Sequence, residues 1–394
     1  MSPVVPGKIV WLQNETYPIT GIPKGWPIGI DTGVTTDFSL VTYGTCNFDV
    51  DWGDGNTETV DNVSPITTFT TTHNYSTPGT YTVEITINSG DFRPYYNSNA
   101  AGDEIVTLGD TPDGWSFGTT LQTAFTGSAN LATIGDIDTS AVTSFLQAFN
   151  GCPSLTSFPL INTSNATQFQ SAWRDDSGLL DFPAIDTGLG LDFSYAWYGC
   201  SSLIDFPALN MSSAIFLTQT WYNCFALESF SVTDFSSLTG TFSATWRNCT
   251  NLDNITALGD TYSFPTIICN NAVGFSSTWN SCAAMTSFPP IAPTSATTFT
   301  QSWFACSNLT TFPPNVFDVT GTLVSSAFNL AFRSCALTAQ SIENILVSLD
   351  TNGATGVTLD ISLGTNASKA TWSAAANTAY DNLIGKGWTV NHNP

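Results

Sequence analysis

The sequence predicts a multidomain chain: a small β-sandwich, then an α/β solenoid of about nine 24-residue coils, then an α/β C-terminal cap. Three observations predict it. One aromatic position recurs at Phe125, Phe149, Trp173, Trp197, Trp221, Trp246, Trp279, Trp303 and Phe332, in steps of 24, 24, 24, 24, 25, 33, 24 and 29 residues. A fixed period of this length marks units that stack only on their neighbours. Before the repeats, apolar residues alternate with polar ones at period two; after them, two segments of helical period alternate with two short apolar runs. The expected divisions are an extended arm (1–24), a β-sandwich (25–90), a linker with the N-terminal cap (91–117), the repeats (118–337) and the C-terminal cap (338–394).

The opening stretch carries Pro3, Pro6, Pro18 and Pro23 around Trp11 and reads as an extended arm. It is either a lead-in to the first domain or an arm docking on a neighbouring subunit. It lacks the basic start and apolar run of a signal peptide, and no stretch reaches the ~18 apolar residues of a membrane span.

Phe48-Asp-Val50-Asp-Trp52 and Tyr81-Thr-Val83-Glu-Ile85-Thr-Ile87 read as strands, with a hairpin signal at Gly53-Asp54-Gly55 and a turn at Pro78-Gly79. Asp51-Trp52-Gly53-Asp54-Gly55 together with His73-Asn-Tyr75-Ser-Thr-Pro78-Gly79-Thr-Tyr81 resembles the polycystic-kidney-disease (PKD) domain. That resemblance implies an immunoglobulin-like β-sandwich serving as a spacer or binding module. His73 is expected to pack against the Trp-Gly-Asp-Gly turn rather than act as a base. Asp49, Asp51 and Asp54 are expected to serve their turns rather than hold calcium. Ile105-Val-Thr-Leu108 is expected to be a first strand leading into the repeats.

Within a repeat, taking Phe193 as position +0, large apolar residues fall at +0, +4, +10 and +13, and Cys occupies +7 in seven of nine units. Positions +0, +4 and +7 share one face of a helical turn, and Pro after the +13 Phe breaks any helix. Each unit is therefore expected to be a short helix, a turn, a short strand and a return loop. Trp173, Trp197, Trp221, Trp246, Trp279 and Trp303, with Cys200 and Cys224, are the expected core. The thiols are expected to form a buried, reduced ladder acting as small apolar residues. No pair has zinc-site spacing. This grammar resembles the BspA-like leucine-rich repeat of bacterial surface proteins, mycoplasma lipoproteins and phage structural proteins. The resemblance implies a solenoid used for attachment or display, with no catalytic residues. The longer step before Trp279, through Asp260-Thr-Tyr262-Ser-Phe264, reads either as a binding-face insertion or as neutral decoration. Ser341–Leu349 and Ala370–Ile384 read as helices and Gly356–Ile361 and Trp388–Val390 as strands, an arrangement that resembles C-terminal caps of phage-encoded repeat proteins.

Only 10% of residues are charged, and 31 acids against 8 bases give a net charge of −23. Phosphate binding needs Lys and Arg clusters, so nucleic acid is excluded as a partner and anionic membrane surfaces are disfavoured; no membrane insertion is expected, for want of a long apolar stretch. Triad, zincin, Walker A and nucleophile-elbow patterns are missing; no cofactor, metal or catalytic residue is expected. The +5 position is expected to be exposed, giving a candidate binding ridge of Arg174, Tyr198, Tyr222, Arg247 and Phe304, with Arg333 in the same row. The expected function is a non-enzymatic structural or attachment protein on a virion surface: a phage tail fibre, head fibre or capsid decoration. Expected partners are further copies of the chain, other virion proteins and a host-surface glycan or protein receptor. Two alternatives stand: a bacterial cell-surface adhesin, located extracellularly, and a carbohydrate-binding module or carbohydrate-active enzyme.

Overall fold

The computed structural model describes residues 25–33, 36–63, 67–90, 92–96, 104–113, 115, 117–253 and 262–394. The expected arm, residues 1–24, lies outside the described residues, as does the first part of the insertion before Trp279.

The N-terminal region is built on β1 (Trp26–Asp31), which pairs antiparallel with β6 (Thr80–Gly90) on one side and with β7 (Ile105–Leu108) on the other. Beyond β6 lie β3 (Cys46–Asp51) and β4 (Thr57–Asn62), and β7 continues in parallel register into β8 (Thr133–Ile134), giving the order β4-β3-β6-β1-β7-β8. β2 (Asp37–Tyr43) and β5 (Thr68–Asn74) form a separate antiparallel pair. Alternation aims Trp26, Ile28 and Ile30 from β1 and Phe48 and Val50 from β3 into one core, where Phe38 and Leu40 of β2 are also buried. The sheet does not stop at residue 90. β7, the strand expected at Ile105–Leu108, and β8 carry it into the first repeat, and the Tyr96 N–H donates to the Ala124 carbonyl.

The expected α/β solenoid is overturned. The only α-helices among the described residues are Ala339–Asn352 and Ala374–Gly385, both beyond the last repeat. The repeats are strand, isolated bridge and turn.

Two backbone facts explain why no helix forms. At +2, Thr123, Gln147, Ser171, Tyr195, Gln219, Ala244, Ser277, Gln301 and Leu330 all have φ between 52° and 60°. At +6, Gly127, Gly151, Asp175, Gly199, Asn223, Asn248, Ser281, Ala305 and Ser334 have φ between 59° and 78°. A left-handed residue breaks a right-handed helix within one turn.

The amides then alternate in their use. The N–H groups of Phe193, Tyr195, Trp197 and Gly199 donate forward to carbonyls of Phe216, Thr218, Thr220 and Tyr222 in the next coil. Those of Ala196, Tyr198 and Cys200 donate back three residues within their own coil. In this coil the backbone amides thus find partners without a helix.

The column through the Trp position is unbroken. It begins with Tyr96 N–H to Ala124 carbonyl and continues from Phe125, Phe149, Trp173, Trp197, Trp221, Trp246, Trp279 and Trp303 to Phe332, whose N–H ends on the Asp360 carbonyl. Side chains follow the same register. From Trp173 to Phe332 the ring centroids are 4.7–5.9 Å apart with planes within 12°. A Phe row at +13 (Phe158, Phe182, Phe206, Phe230, Phe264, Phe288, Phe312) meets each indole edge to face.

The two long steps do not break these rows. Phe264 fills the Phe row from within the 33-residue step, and the 29-residue step adds Phe317 against Phe299 and Phe328. The short strand expected near +13 appears as the two-residue parallel pair Asp205–Phe206 and Ser229–Phe230. Elsewhere single bridges suffice, as in Thr120, Ser144, Gln168, Asp192 and Phe216.

The C-terminal unit closes the stack. Thr338 caps the helix Ala339–Asn352 by accepting from the Ser341 N–H, and Gly353 ends it at φ 79°. Thr358–Ile361 pairs in parallel with Thr389–His392 and extends the stack through the Phe328–Leu359 bridge. The second helix starts at Ala374 rather than Ala370, because Lys369–Thr371 forms a separate short turn before the Ser373 cap.

Candidate binding ridge

The +5 residues of the candidate ridge, and Arg333 in the same row, are half-buried rather than exposed. The reason is local. Residue +5 sits between core residue +4 and the left-handed residue +6, so its side chain leaves the coil sideways and lies along the stack against its neighbours.

Four successive coils place Arg174, Tyr198, Tyr222 and Arg247 in one continuous file. The Arg174 guanidinium carbon lies 4.6 Å from the Tyr198 ring centroid. Tyr198 and Tyr222 stack at 5.0 Å with 3° between planes. Arg247 covers Tyr222 at 5.7 Å. Each tyrosine face is thus taken by a neighbour, so the file cannot offer a flat platform on which a sugar ring would stack. What it presents are ring edges, phenol groups and guanidinium N–H groups.

The three arginines of the row differ. Arg174 donates from Nε to Asp175 Oδ2 at 3.2 Å and lies 5.6 Å from the Tyr195 ring. Arg333 has an Nη1 at 3.8 Å from Oδ2 of the buried Asp360. Arg247 has no carboxylate within ion-pair distance among the described residues, and its buried Nε has no acceptor there. Beside it, Asn248 Nδ2 donates to Asn223 Oδ1 at 2.8 Å. Phe304 stands apart from the file: Asn280 separates it from Arg247 in the row, and no ring or cation contact joins it to the tyrosines among the described residues.

Behind the ridge lies the +7 row. All nine cysteines are free and buried. The thiols are more than small apolar fillers. Cys152, Cys200, Cys224, Cys249, Cys282, Cys306 and Cys335 each donate S–H to the +4 carbonyl of an earlier coil at 2.9–3.3 Å. Burial pushes these thiols up, to about 12 for Cys306. Asp176 stands in this row, fully buried; Oδ1 accepts the Cys152 N–H at 2.7 Å and Oδ2 has no partner among the described residues. Burial drives its carboxyl well above the ordinary 3.8.

In the N-terminal region His73 stacks on Trp52 at 5.0 Å and its Nε2 lies 2.9 Å from Asp54 Oδ2; that contact holds the Asp54 carboxyl below the usual range. Asp51 accepts from the Gly53 N–H, Asp54 from the Asn56 N–H and Asp49 from the Thr59 hydroxyl. These three acids serve their own turn and strand pair. Among the described residues no group of three or more His, Cys, Asp or Glu is arranged to hold a metal ion, and no helix is long and apolar enough to cross a membrane.

Sequence reasoning missed three features. Glu84, Asp110 and Asp113 line one cleft of about 600 Å³, brought together by strand pairing that no local pattern announces. Tyr195 joins the ridge from +2. The Asn223–Asn248 pair was visible only as two turn-forming residues one period apart.

No protein-family model matches the chain, and no similar protein was found among curated sequences or among solved structures.

Proposed function

We propose that this chain is a non-enzymatic attachment and display protein of a virion surface, in the manner of a phage tail fibre, head fibre or capsid decoration. The observation that carries the reading is the hydrogen-bonded column running unbroken from Tyr96 to Asp360. Such a column, backed by stacked indoles, makes a stiff body whose lateral side chains keep fixed spacings. That suits presenting a surface to a receptor or to neighbouring subunits better than moving around a substrate. The ridge of Arg174, Tyr198, Tyr222 and Arg247 is the part of that surface with the most specific chemistry. The composition supports the same reading: an uncrowded surface of Ser, Thr and Asn with 8 bases in 394 residues has nothing with which to hold nucleic acid. In this role the chain works alongside further copies of itself and other virion proteins.

Immunogold labelling of particles and of cells from the producing culture, with antibody raised against the full chain, tests the proposal. Gold on free particles is the expected outcome. Gold confined to cell envelopes overturns it in favour of a cell-surface adhesin.

A further inference from the structure

We propose that the Tyr222–Arg247 end of the ridge is a recognition site for the carboxylate of a sparsely charged acidic oligosaccharide. This deepens the display reading above and rests on it.

Arg247 is the observation that drives the inference. The chain has 31 acids, and the row's other arginines have each taken one: Arg174 holds Asp175 and Arg333 approaches Asp360. Arg247 alone in that row lacks a carboxylate among the described residues, with a buried Nε that meets no acceptor. The buried Nε lies out of a ligand's reach; the Nη groups of this half-buried side chain are the donors open to solvent, and an incoming carboxylate would accept paired, charge-assisted hydrogen bonds from them. Stacking on Tyr222 holds the guanidinium plane in place before any ligand arrives.

The surroundings narrow the ligand. The net charge of −23 opposes dense polyanions. At physiological salt, though, charges beyond about 8 Å are largely screened, so one isolated carboxylate is decided by its immediate contacts. Those contacts are hydroxyl and amide: the tyrosine phenols, the Asn223–Asn248 pair and the Thr250 hydroxyl one turn on. They match sugar hydroxyls. Because the tyrosine faces are covered, the sugar must lie edge-on, hydrogen-bonding along the file rather than stacking on it.

Titration calorimetry of the full-length chain in about 0.15 M salt tests this with 3′-sialyllactose, trigalacturonate and a hyaluronan hexasaccharide, each against its neutral counterpart: lactose for the first, the carboxyl-reduced sugar for the others. At least one carboxylated sugar should bind, with its neutral partner weaker by about tenfold or more. Arg247→Gln should abolish the difference. Arg247→Lys, which keeps the charge and loses the fork, should retain part of it and covers the case in which the Gln variant fails to fold. Absence of binding by every carboxylated sugar, equal binding by the neutral partners, or unchanged binding in Arg247→Gln each overturns the proposal. So does an oligoglutamate peptide that binds through Arg247 while no sugar does. Gold labelling of particles is independent of Arg247, so the site can fail while the display reading stands.

Discussion

The indole of Trp197 lies 5.7 Å from that of Trp221, with 2° between the ring planes. Both are fully buried, and neither Nε1 has a hydrogen-bond acceptor among the described residues. The stack is therefore held by ring area and edge-to-face contact with the Phe row, not by indole hydrogen bonds. Trp221→Ala should cost about 3–5 kcal/mol and loosen the coils on both sides. Trp221→Phe should cost no more than about 1 kcal/mol, since the lost contact area is offset by removing an unpaired N–H. Phe125, Phe149 and Phe332 already occupy this position in other coils. Denaturant melts of the two variants check the contrast; equal losses would contradict it.

Asp176 interrupts the thiol row with a fully buried carboxyl. Its folded pKa is raised, so the fold keeps a proton that the unfolded chain releases above about 3.8. The fold is consequently penalised progressively as pH rises from that value, and not below it. Asp176→Cys should raise stability at pH 7 by about 1–3 kcal/mol, the cost of a buried unsatisfied polar group. The gain should shrink near pH 4. A gain independent of pH would contradict a neutral, strained carboxyl.

The thiols should be silent in the native state. Burial pushes Cys306 of the row, and Cys269 outside it, up to about 12 and raises the other row thiols, so little thiolate exists at neutral pH. An aromatic disulfide reagent at pH 7.5 should label no thiol of the repeat row before unfolding and all nine cysteines of the chain after it. Rapid native labelling of Cys224 or Cys249 would show that the stack opens.

Tyr222 was read from sequence as exposed, which implies a negligible effect on stability. In the structure it stacks on Tyr198 and carries Arg247 over its other face. Tyr222→Ala should therefore cost about 1–2 kcal/mol, the sum of one aromatic pair and one cation–π contact. A melting curve unchanged from the parent would return the residue to open solvent.

The rows were legible because a 24-residue period fixes which side chains must meet. The path of the chain inside each coil was not. Spacing of +0, +4 and +7 suits one helical face, but it suits two successive tight turns equally. The discriminating demand is left-handed backbone at +2 and +6. Position +6 carried that signal in Gly127, Gly151, Gly199, Asn223 and Asn248. Position +2 did not, since Tyr195 and Gln219 rarely adopt such φ values and are held there by coil-to-coil hydrogen bonds. For the ridge, the row was visible but its covered faces were not, because they depend on side chains turning along the stack.

The in-register, helix-free stack is tested most directly by removing one period. Deleting residues 194–217 removes 24 residues and joins Phe193 to Thr218, leaving every row continuous. The shortened chain should fold cooperatively, and its far-UV helical signal per molecule should match the parent, because the deleted residues hold no helix and both α-helices of the described residues lie beyond residue 338. A matched deletion of half a coil, residues 194–205, should abolish folding. Loss of a helix's worth of signal on removing the whole coil, or a folded half-coil deletion, would contradict the account.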